Sequence, residues 1–421
     1  MTTASPGDIK FNTFTIQTAK GSLNLNDPNK AKKLEFNVYY DILSPVVAAD
    51  VEILDENDAL GTYNIKGGED VQINFTVPGG ELVSLKMKTF ENADLNDNTI
   101  ENKGAGKHKT YTIKLVSPEL NNNRGKHFQD DFGGSIPTSD IVSKAIKKIS
   151  DKQVDTPDAT TPQVQHMLKE TVFGFLEKIR NVHVSQQYKS SAYILFPTYD
   201  SGTEKYKFCT FEYLMAQGSK FDFKQDSTVG TRTTTDGNQM HNILWVNVPS
   251  SFNSAEIAGS ATGISNYNIQ TGKQLVSSKT MPTFVTLGTD PYKTLASQYD
   301  NVPKEQRPPR GATGEKNGTI SPSIDKNKTN LAQAAAYRSR FLSYLAQNTI
   351  KFEVHGNPNI KIGDVVTLKL PKKADAGQDS GETQMNDKVL IVKIRHRVLP
   401  EGNKPRYTMI IEAVKAAFKE G

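Results

Sequence analysis

His355-Gly356-Asn357-Pro358-Asn359-Ile360-Lys361-Ile362-Gly363-Asp364-Val365-Val366 is the stretch that organises the C-terminal part of this chain. Gly-Asn-Pro turns an incoming strand, because glycine and asparagine tolerate the backbone angles of a tight turn and proline presets one of them. Gly363-Asp364 makes a second bend just before an apolar run. Gly356, Asn357, Pro358, Gly363 and Asp364 are therefore the candidate structural residues here, and Gly363→Val is expected to disturb the bend if that glycine has a positive φ. Upstream, Ile350–Val354 reads as a strand. Downstream, a strand is expected through Ile360, Ile362, Val366, Leu368 and Leu370, followed by Leu390–Val398 and Tyr407–Ala413. Before all of these, Leu331, Ala334, Ala335, Arg338, Leu342 and Leu345 wind round a predicted helix over Asn330–Gln347. Residues 330–421 thus read as a helix followed by a small antiparallel β domain.

The N-terminal part has the same period of two. Leu34, Phe36, Val38 and Tyr40 alternate with polar neighbours, as do Val71, Ile73, Phe75 and Val77, then Val83, Leu85 and Met87, then Tyr111, Ile113 and Leu115. That density of alternation over 1–117 predicts a small antiparallel barrel or sandwich with one face of each strand buried. Asn92–His108 is polar and reads as a long hairpin loop. A polar connector over 118–135 leads to two amphipathic helices. Ser139-Asp140 can cap the first, which carries Ile141, Val142, Ala145, Ile146 and Ile149. The second runs from about Thr161 to Asn181, and strand-like runs follow at Ser191–Phe196 and Tyr206–Phe211. Residues 118–217 form a helix-plus-hairpin domain on this reading. Residues 218–329 are rich in Ser, Thr, Gly, Asn and Gln, with one strong apolar run at Ile243–Val248, and read as a polar insert or arm.

Composition bounds the function. A chain of 421 residues is too long for one core. Hydrophobic content is 36%, mean hydropathy is −0.53 and the net charge is +5, which describes a polar, mildly basic chain and not the dense basic stripe of a nucleic-acid binder. The lone Cys209 lies in an apolar strand and cannot form an internal disulfide. No secretion signal opens the sequence and no run is long and apolar enough to span a membrane, so synthesis in a cytoplasm is expected.

The motifs that carry chemistry are missing. There is no phosphate-binding loop, no nucleophile elbow and no zinc-ligand spacing, so no catalytic residue, cofactor or metal is assigned. Asp55-Glu56-Asn57-Asp58 begins like a calcium loop but has Leu60 where glycine is required. Arg395-His396-Arg397 and Lys372-Lys373 are basic clusters without interleaved aromatic residues. His166 and His396 read as packing or surface histidines, and Trp245 as a strand residue.

Three regions resemble the central baseplate hub proteins of T-even-like contractile-tailed bacteriophages. The strands of 1–117 resemble that family's first tube-type barrel. Phe173–Arg180, Ser191–Phe196 and Phe208–Met215 are similar to its middle domain, where a helix precedes a hairpin ending in a Glu-containing helical turn. Arg340-Phe341-Leu342 through Gly356-Asn357-Pro358 and Gly363-Asp364 to Tyr407-Thr408-Met409 resembles its second tube-type barrel. The resemblance implies a mainly β (α+β) chain with two small antiparallel tube-type barrels. It implies a non-enzymatic homotrimer forming a pseudo-sixfold ring between a hexameric tail tube protein and a trimeric spike protein, beside baseplate wedge proteins. Genomic DNA would pass through the lumen, and the protein would sit in the virion at the distal end of the tail. The hub of a non-viral contractile injection machine is the alternative, and a wall hydrolase or carbohydrate-binding module comes further behind. The insert at 218–329 has no counterpart in the family pattern.

Overall fold

The computed structural model describes residues 9–27, 32–55, 59–76, 82–90, 94–100, 108–128, 137–158, 170–183, 185, 187, 192–200, 203–225, 239–247, 264–268, 273–277, 349–369, 387–401 and 404–415. The chain is mainly β. The N-terminal strands are β1 (Lys10–Thr18), β2 (Gly21–Asn24), β3 (Lys32–Asp41), β4 (Ala48–Asp55), β5 (Asp70–Thr76), β6 (Leu82–Thr89), β7 (Asp94–Ile100) and β8 (His108–Val116), with a short α1 (Ala59–Tyr63) between β4 and β5. The middle stretch holds α2 (Pro118–Gly125), β9 (His127–Phe128), α3 (Thr138–Ile146), β10 (Val154–Asp155), β11 (Glu170–Thr171), α4 (Val172–Val182), β12 (Tyr193–Asp200), β13 (Thr203–Thr210) and α5 (Phe211–Met215). The rest are β14 (Phe221–Gln225), β15 (Gln239–Asn247), β16 (Ile264–Asn268), β17 (Lys273–Ser277), β18 (Thr349–His355), β19 (Val365–Lys369), β20 (Asp387–Glu401) and β21 (Lys404–Val414).

A 14-stranded sheet joins both ends of the chain in the order β19-β14-β15-β18-β21-β20-β3-β4-β8-β6-β5-β1-β2, with β7 attached to β8. The link between the two halves is the antiparallel pair β3–β20, with Lys393 opposite Asp41 and Val398 opposite Phe36. On the C-terminal side, β19 also pairs with β20, so β19, β14, β15, β18, β21 and β20 complete a closed hydrogen-bonded circuit. On the N-terminal side the sheet curls until β1 meets β3 through side chains. Phe36 packs edge-on to Phe14 at 5.2 Å and to Phe11 at 5.9 Å between ring centroids. Lys33 Nζ donates to Leu25 O at 2.6 Å and to Asn26 Oδ1 at 2.8 Å, tying the exit of β2 to β3.

One core runs through both halves, from Phe14, Val51 and Ile73 to Phe352, Ile411 and Val366. The β12–β13 hairpin separates it from a second core. Ile194, Phe196 and Cys209 face the large sheet, while Tyr193, Leu195, Tyr206 and Phe208 face Ile141 and Ile146 of α3 and Val172 and Ile179 of α4. Both faces being buried explains why these strands read as continuous apolar runs without alternation. Tyr206 and Tyr199 anchor the hairpin to the N-terminal half by donating to Pro45 O (2.9 Å) and Ser84 O (3.0 Å).

The expected strands are present, with differences in detail. Ile360 and Ile362 are not in a strand. They are buried turn residues, and the strand begins at Val365 because the chain reverses at Gly363. Asn92–His108 is not all loop, since β7 pairs with β8 across it. The connector after 117 begins as a helix, with Pro118 in its first turn and Glu119 favouring the N-terminus of the dipole. Ser139-Asp140 does not cap α3. Pro137 holds the N-cap position, without a side-chain bond. The second amphipathic helix is described from Val172, with the Thr171 hydroxyl accepting from Gly174 N. The 218–329 stretch gives β14 and β15 to the large sheet, and β16 and β17 pair with each other. The predicted helix at 330–347, His166, residues 56–58 of the acidic turn and Lys372-Lys373 lie outside the described residues.

Phe36 is 2% exposed and touches both β1 rings. Phe36→Ala should cost about 3–5 kcal/mol of stability in chemical denaturation. A loss below about 1 kcal/mol would show that the N-terminal curl closes by other means.

Candidate functional site

The five turn residues converge on one place, where β21 and the β12–β13 hairpin meet. Gly356 N donates to Tyr407 O at 3.0 Å. A Cβ on Gly356 would lie 2.0 Å from Tyr407 Cδ1, so only glycine lets the buried ring pack against the turn. Asn357 Oδ1 accepts from Asn359 N at 3.0 Å, and Asn357 O accepts from Ile360 N at 3.2 Å, which closes the first turn on itself. Pro358 follows without a cis bond and joins Ile360, Lys361 and Ile362 on the wall of a small cavity.

Gly363 has φ +83°, in the left-handed region that favours glycine, so the condition for strain on Gly363→Val is met. Its N–H donates to Ile391 O at 2.9 Å, and Ile391 N returns a bond of 2.9 Å to Asp364 O. The bend thereby continues the β19–β20 ladder. A Cβ on Gly363 would sit 3.0 Å from Phe196 Cζ, tight against the hairpin. Asp364 is 5% exposed. Its Oδ2 accepts from Lys361 N at 2.9 Å and its Oδ1 from Lys220 Nζ at 2.5 Å, so the buried carboxylate is both hydrogen-bonded and charge-paired.

Two ionic clusters flank this site. The Arg395-Arg397 pair is engaged, not free. Arg397 Nε and Nη2 grip the two oxygens of Glu35 at 3.1 Å each, and Arg395 reaches Glu35 at 2.7 Å and Asn37 at 2.9 Å. Partial burial pushes the Glu35 carboxyl up, but the hydrogen bonds from Arg397 and Asn37 and the two guanidinium charges outweigh it and hold it below its usual range. This clamp spans the β3–β20 link. The second cluster ties the middle stretch together. Lys152 Nζ bridges Glu119 of α2 at 2.9 Å and Glu204 of β13 at 2.7 Å. Burial acts against both carboxylates. At Glu119 the Lys152 charge and hydrogen bonds win and the group is held low, whereas at Glu204 burial wins and the group is raised.

Cys209 is buried among core residues, and burial pushes its thiol well up, which is the state of an inert packing cysteine. Among the described residues, no group of three His, Cys, Asp or Glu side chains could hold a metal ion, and no helix is long and apolar enough to cross a membrane. Sequence reading missed Glu35 as the counter-ion because the partners are about 360 positions apart. The one local signal is Glu35's place on the polar face of an alternating strand.

No family model matches the chain, and no curated protein matches it. Solved structures do. A tail protein from Neisseria meningitidis is 10% identical, covering 96% of each chain with a TM-score of 0.49. The 43 kDa tail protein of prophage MuSo2 from Shewanella oneidensis is 12% identical, covering 96% of this chain and 98% of that one with a TM-score of 0.47. The E. coli c3393 protein is a type VI secretion system component with structural similarity to the bacteriophage T4 tail proteins gp27 and gp5. It is 9% identical, covering 97% of this chain and 77% of its own with a TM-score of 0.45. At such identities and TM-scores the likeness is one of layout alone.

Gly356→Ala should destabilise the chain by about 3 kcal/mol, because the Tyr407 ring has to leave its packing. A change below about 0.5 kcal/mol in urea denaturation would contradict the close approach. Glu35→Ala should cost about 1–2 kcal/mol, discounted for partial exposure, with the loss shrinking at high salt. Since Glu35 and Glu119 are held low, their stabilisation is complete above about pH 4.5 and is lost as pH falls through their lowered folded values. Glu35→Ala should therefore flatten the acid limb of the stability profile, and an unchanged limb would remove Glu35 from that account.

Proposed function

We propose that this chain is a structural, non-enzymatic hub of a contractile phage tail, acting as a homotrimer that adapts a trimeric spike to a hexameric tail tube. The observation that carries the reading is the fusion of two β assemblies edge to edge through β3–β20 over one continuous core. Three copies of such a chain offer six β units round an axis. That is what a three-fold to six-fold adapter requires, and closed rotational symmetry is the usual way for identical chains to provide it.

On this proposal, the N-terminal strands of 1–117 form the first tube-type barrel. The closed circuit of β18–β21, with the strands it takes from 218–329, forms the second. The 118–217 module is the strut that fixes their angle. The turn at Gly356–Asp364 holds the second unit against that strut. DNA passes through the bore without specific binding. Engagement of Arg395 and Arg397 by Glu35, which offsets one of their two charges, supports that part, because guanidinium groups already paired with a carboxylate hold phosphates less strongly. Tail tube, spike and wedge proteins are the expected partners, at the distal end of the virion tail.

Light scattering on the purified chain tests the assembly. The expected mass is about three times the 46.5 kDa of one chain, or a concentration-dependent approach to it. A strict monomer, both alone and with the tube and spike proteins present, would overturn the proposal. Gly363→Val should impair the trimer, since valine is strained at φ +83° and meets Phe196. A trimer of unchanged stability in that variant would separate the bend from assembly.

A further inference from the structure

Three charged side chains of the middle module share one buried site. The parallel pair β10–β13 sets Val154 opposite Tyr206, and Tyr206 N donates to Gln153 O at 2.8 Å, so Lys152 comes to rest beside Glu204. Its Nζ lies 5.8 Å from the centre of the Tyr206 ring, 2.7 Å from Glu204 Oε2 and 2.9 Å from Glu119 Oε1. The side chains of Lys152, Glu119 and Glu204 are only 16%, 5% and 14% exposed, so water does little to dilute their charges. Two carboxylates and one ammonium leave the site one negative charge in excess.

The two acids are not held alike. Glu119 sits in the first turn of α2, where the helix dipole favours a negative charge, and the Ser150 hydroxyl donates to its Oε1 at 2.7 Å. Ser150 is kept in reach by the Asn122 side chain, which donates to Ile149 O at 2.8 Å. Glu204 has no polar partner but Lys152 among the described residues. Three phenols are near enough to feel its charge: Tyr40 of β3, Tyr199 of β12 and Tyr206 of its own strand. Their hydroxyls are used elsewhere. Tyr40 bonds the Tyr199 hydroxyl, Tyr199 donates to Ser84 O at 3.0 Å, and Tyr206 donates to Pro45 O at 2.9 Å. The other cations of β13, Lys205 and Lys207, lie 4.0 and 3.9 Å from Asp155 of β10.

We propose that Glu204 is the surplus acid of this site: on mild acidification it takes up a proton, leaves Lys152 to Glu119, and the β12–β13 hairpin seats more firmly against the N-terminal half. A charged Glu204 with one shared partner gains by reaching water, which only an opening of the hairpin provides. A neutral one does not, and the Tyr199 and Tyr206 anchors on either side of it stay closed. Burial and the Glu119 charge raise the Glu204 carboxyl against the pull of Lys152, whereas at Glu119 Lys152 and Ser150 overcome burial and hold the group low. The two effects separate in pH. The folded chain binds the Glu204 proton more tightly than the unfolded chain, so the charged acid destabilises the site above its raised folded value. That loss is recovered as pH falls towards the ordinary 4.5. The Glu119 contribution is intact over this range and is lost only below it. The site lies within one chain, so the inference stands or falls separately from ring formation.

Hydrogen–deuterium exchange of the full chain between about pH 7.5 and pH 5, corrected for intrinsic exchange rates, reads the opening of peptides 118–125 and 203–210. In the wild type that opening should fall as the pH is lowered, by at most about tenfold per pH unit, the limit for one proton. In Glu204→Gln, which is neutral throughout, opening at the upper pH should be at least about twofold below the wild type and should no longer fall. Were Lys152 an ordinary bridge serving both acids, Glu204→Gln would open more than the wild type. That result, or wild-type opening that holds steady or rises towards the acid end, would overturn the proposal. Should the variant fail to fold, glutamate carboxyl NMR of the wild type decides. A Glu204 midpoint above 4.5 supports the proposal, and one at or below 4.5 refutes it.

Discussion

The pairing of β3 with β20 is the contact on which the rest of this molecule depends. It joins residues 36–41 to residues 393–398, the two ends of the chain, in a single antiparallel ladder. Without it there would be two β assemblies on separate cores. With it, hydrophobic burial is continuous from Phe14 to Val366 and the edges that both assemblies would otherwise expose are paired. The cost is a long loop closure, which grows only slowly with loop length. The polar face of the link is secured by Glu35 between two arginines, and its apolar face by Phe36, Val38, Ile394 and Val398.

The middle module makes sense as a brace on that link. Its hairpin is apolar on both faces, one for each core, and the hydroxyls of Tyr199 and Tyr206 reach backbone carbonyls of the N-terminal half. Phe196 backs the Gly363 bend of the C-terminal half. Three sequence-distant segments therefore meet at one seam, and the tightest steric demands, at Gly356 and Gly363, are found there.

Much of this was legible in the sequence wherever one face of a strand is wet and the other dry. β3, β5, β6, β8, β18 and β21 announce themselves by alternation, and Gly363 by its place before a new strand. What could not be read has physical causes. Ile360 and Ile362 alternate like strand residues, but they are buried because the turn itself packs on the seam. The helix α2 is polar along its length and is held by Asn122 and Asn123 side chains bonding Ile149 O and Phe173 N, which no periodicity reveals. β14 pairs in parallel with β19, with Phe221 opposite Val366, and such a long-range partner leaves no local mark. The basic look of Arg395-His396-Arg397 is reduced once Glu35 is placed, and His396 meets Tyr40 and Tyr407 while its neighbours bond Glu35.

The central claim is that one chain supplies two β units of a ring whose three-fold symmetry approximates six-fold. Cryo-electron microscopy of the assembled protein, viewed down the axis, tests it most directly. The account predicts three-fold class averages with six β lobes around an open bore, adjacent lobes within a chain joined through β3 and β20. Isolated chains, or a ring in which each chain contributes one lobe, would contradict it.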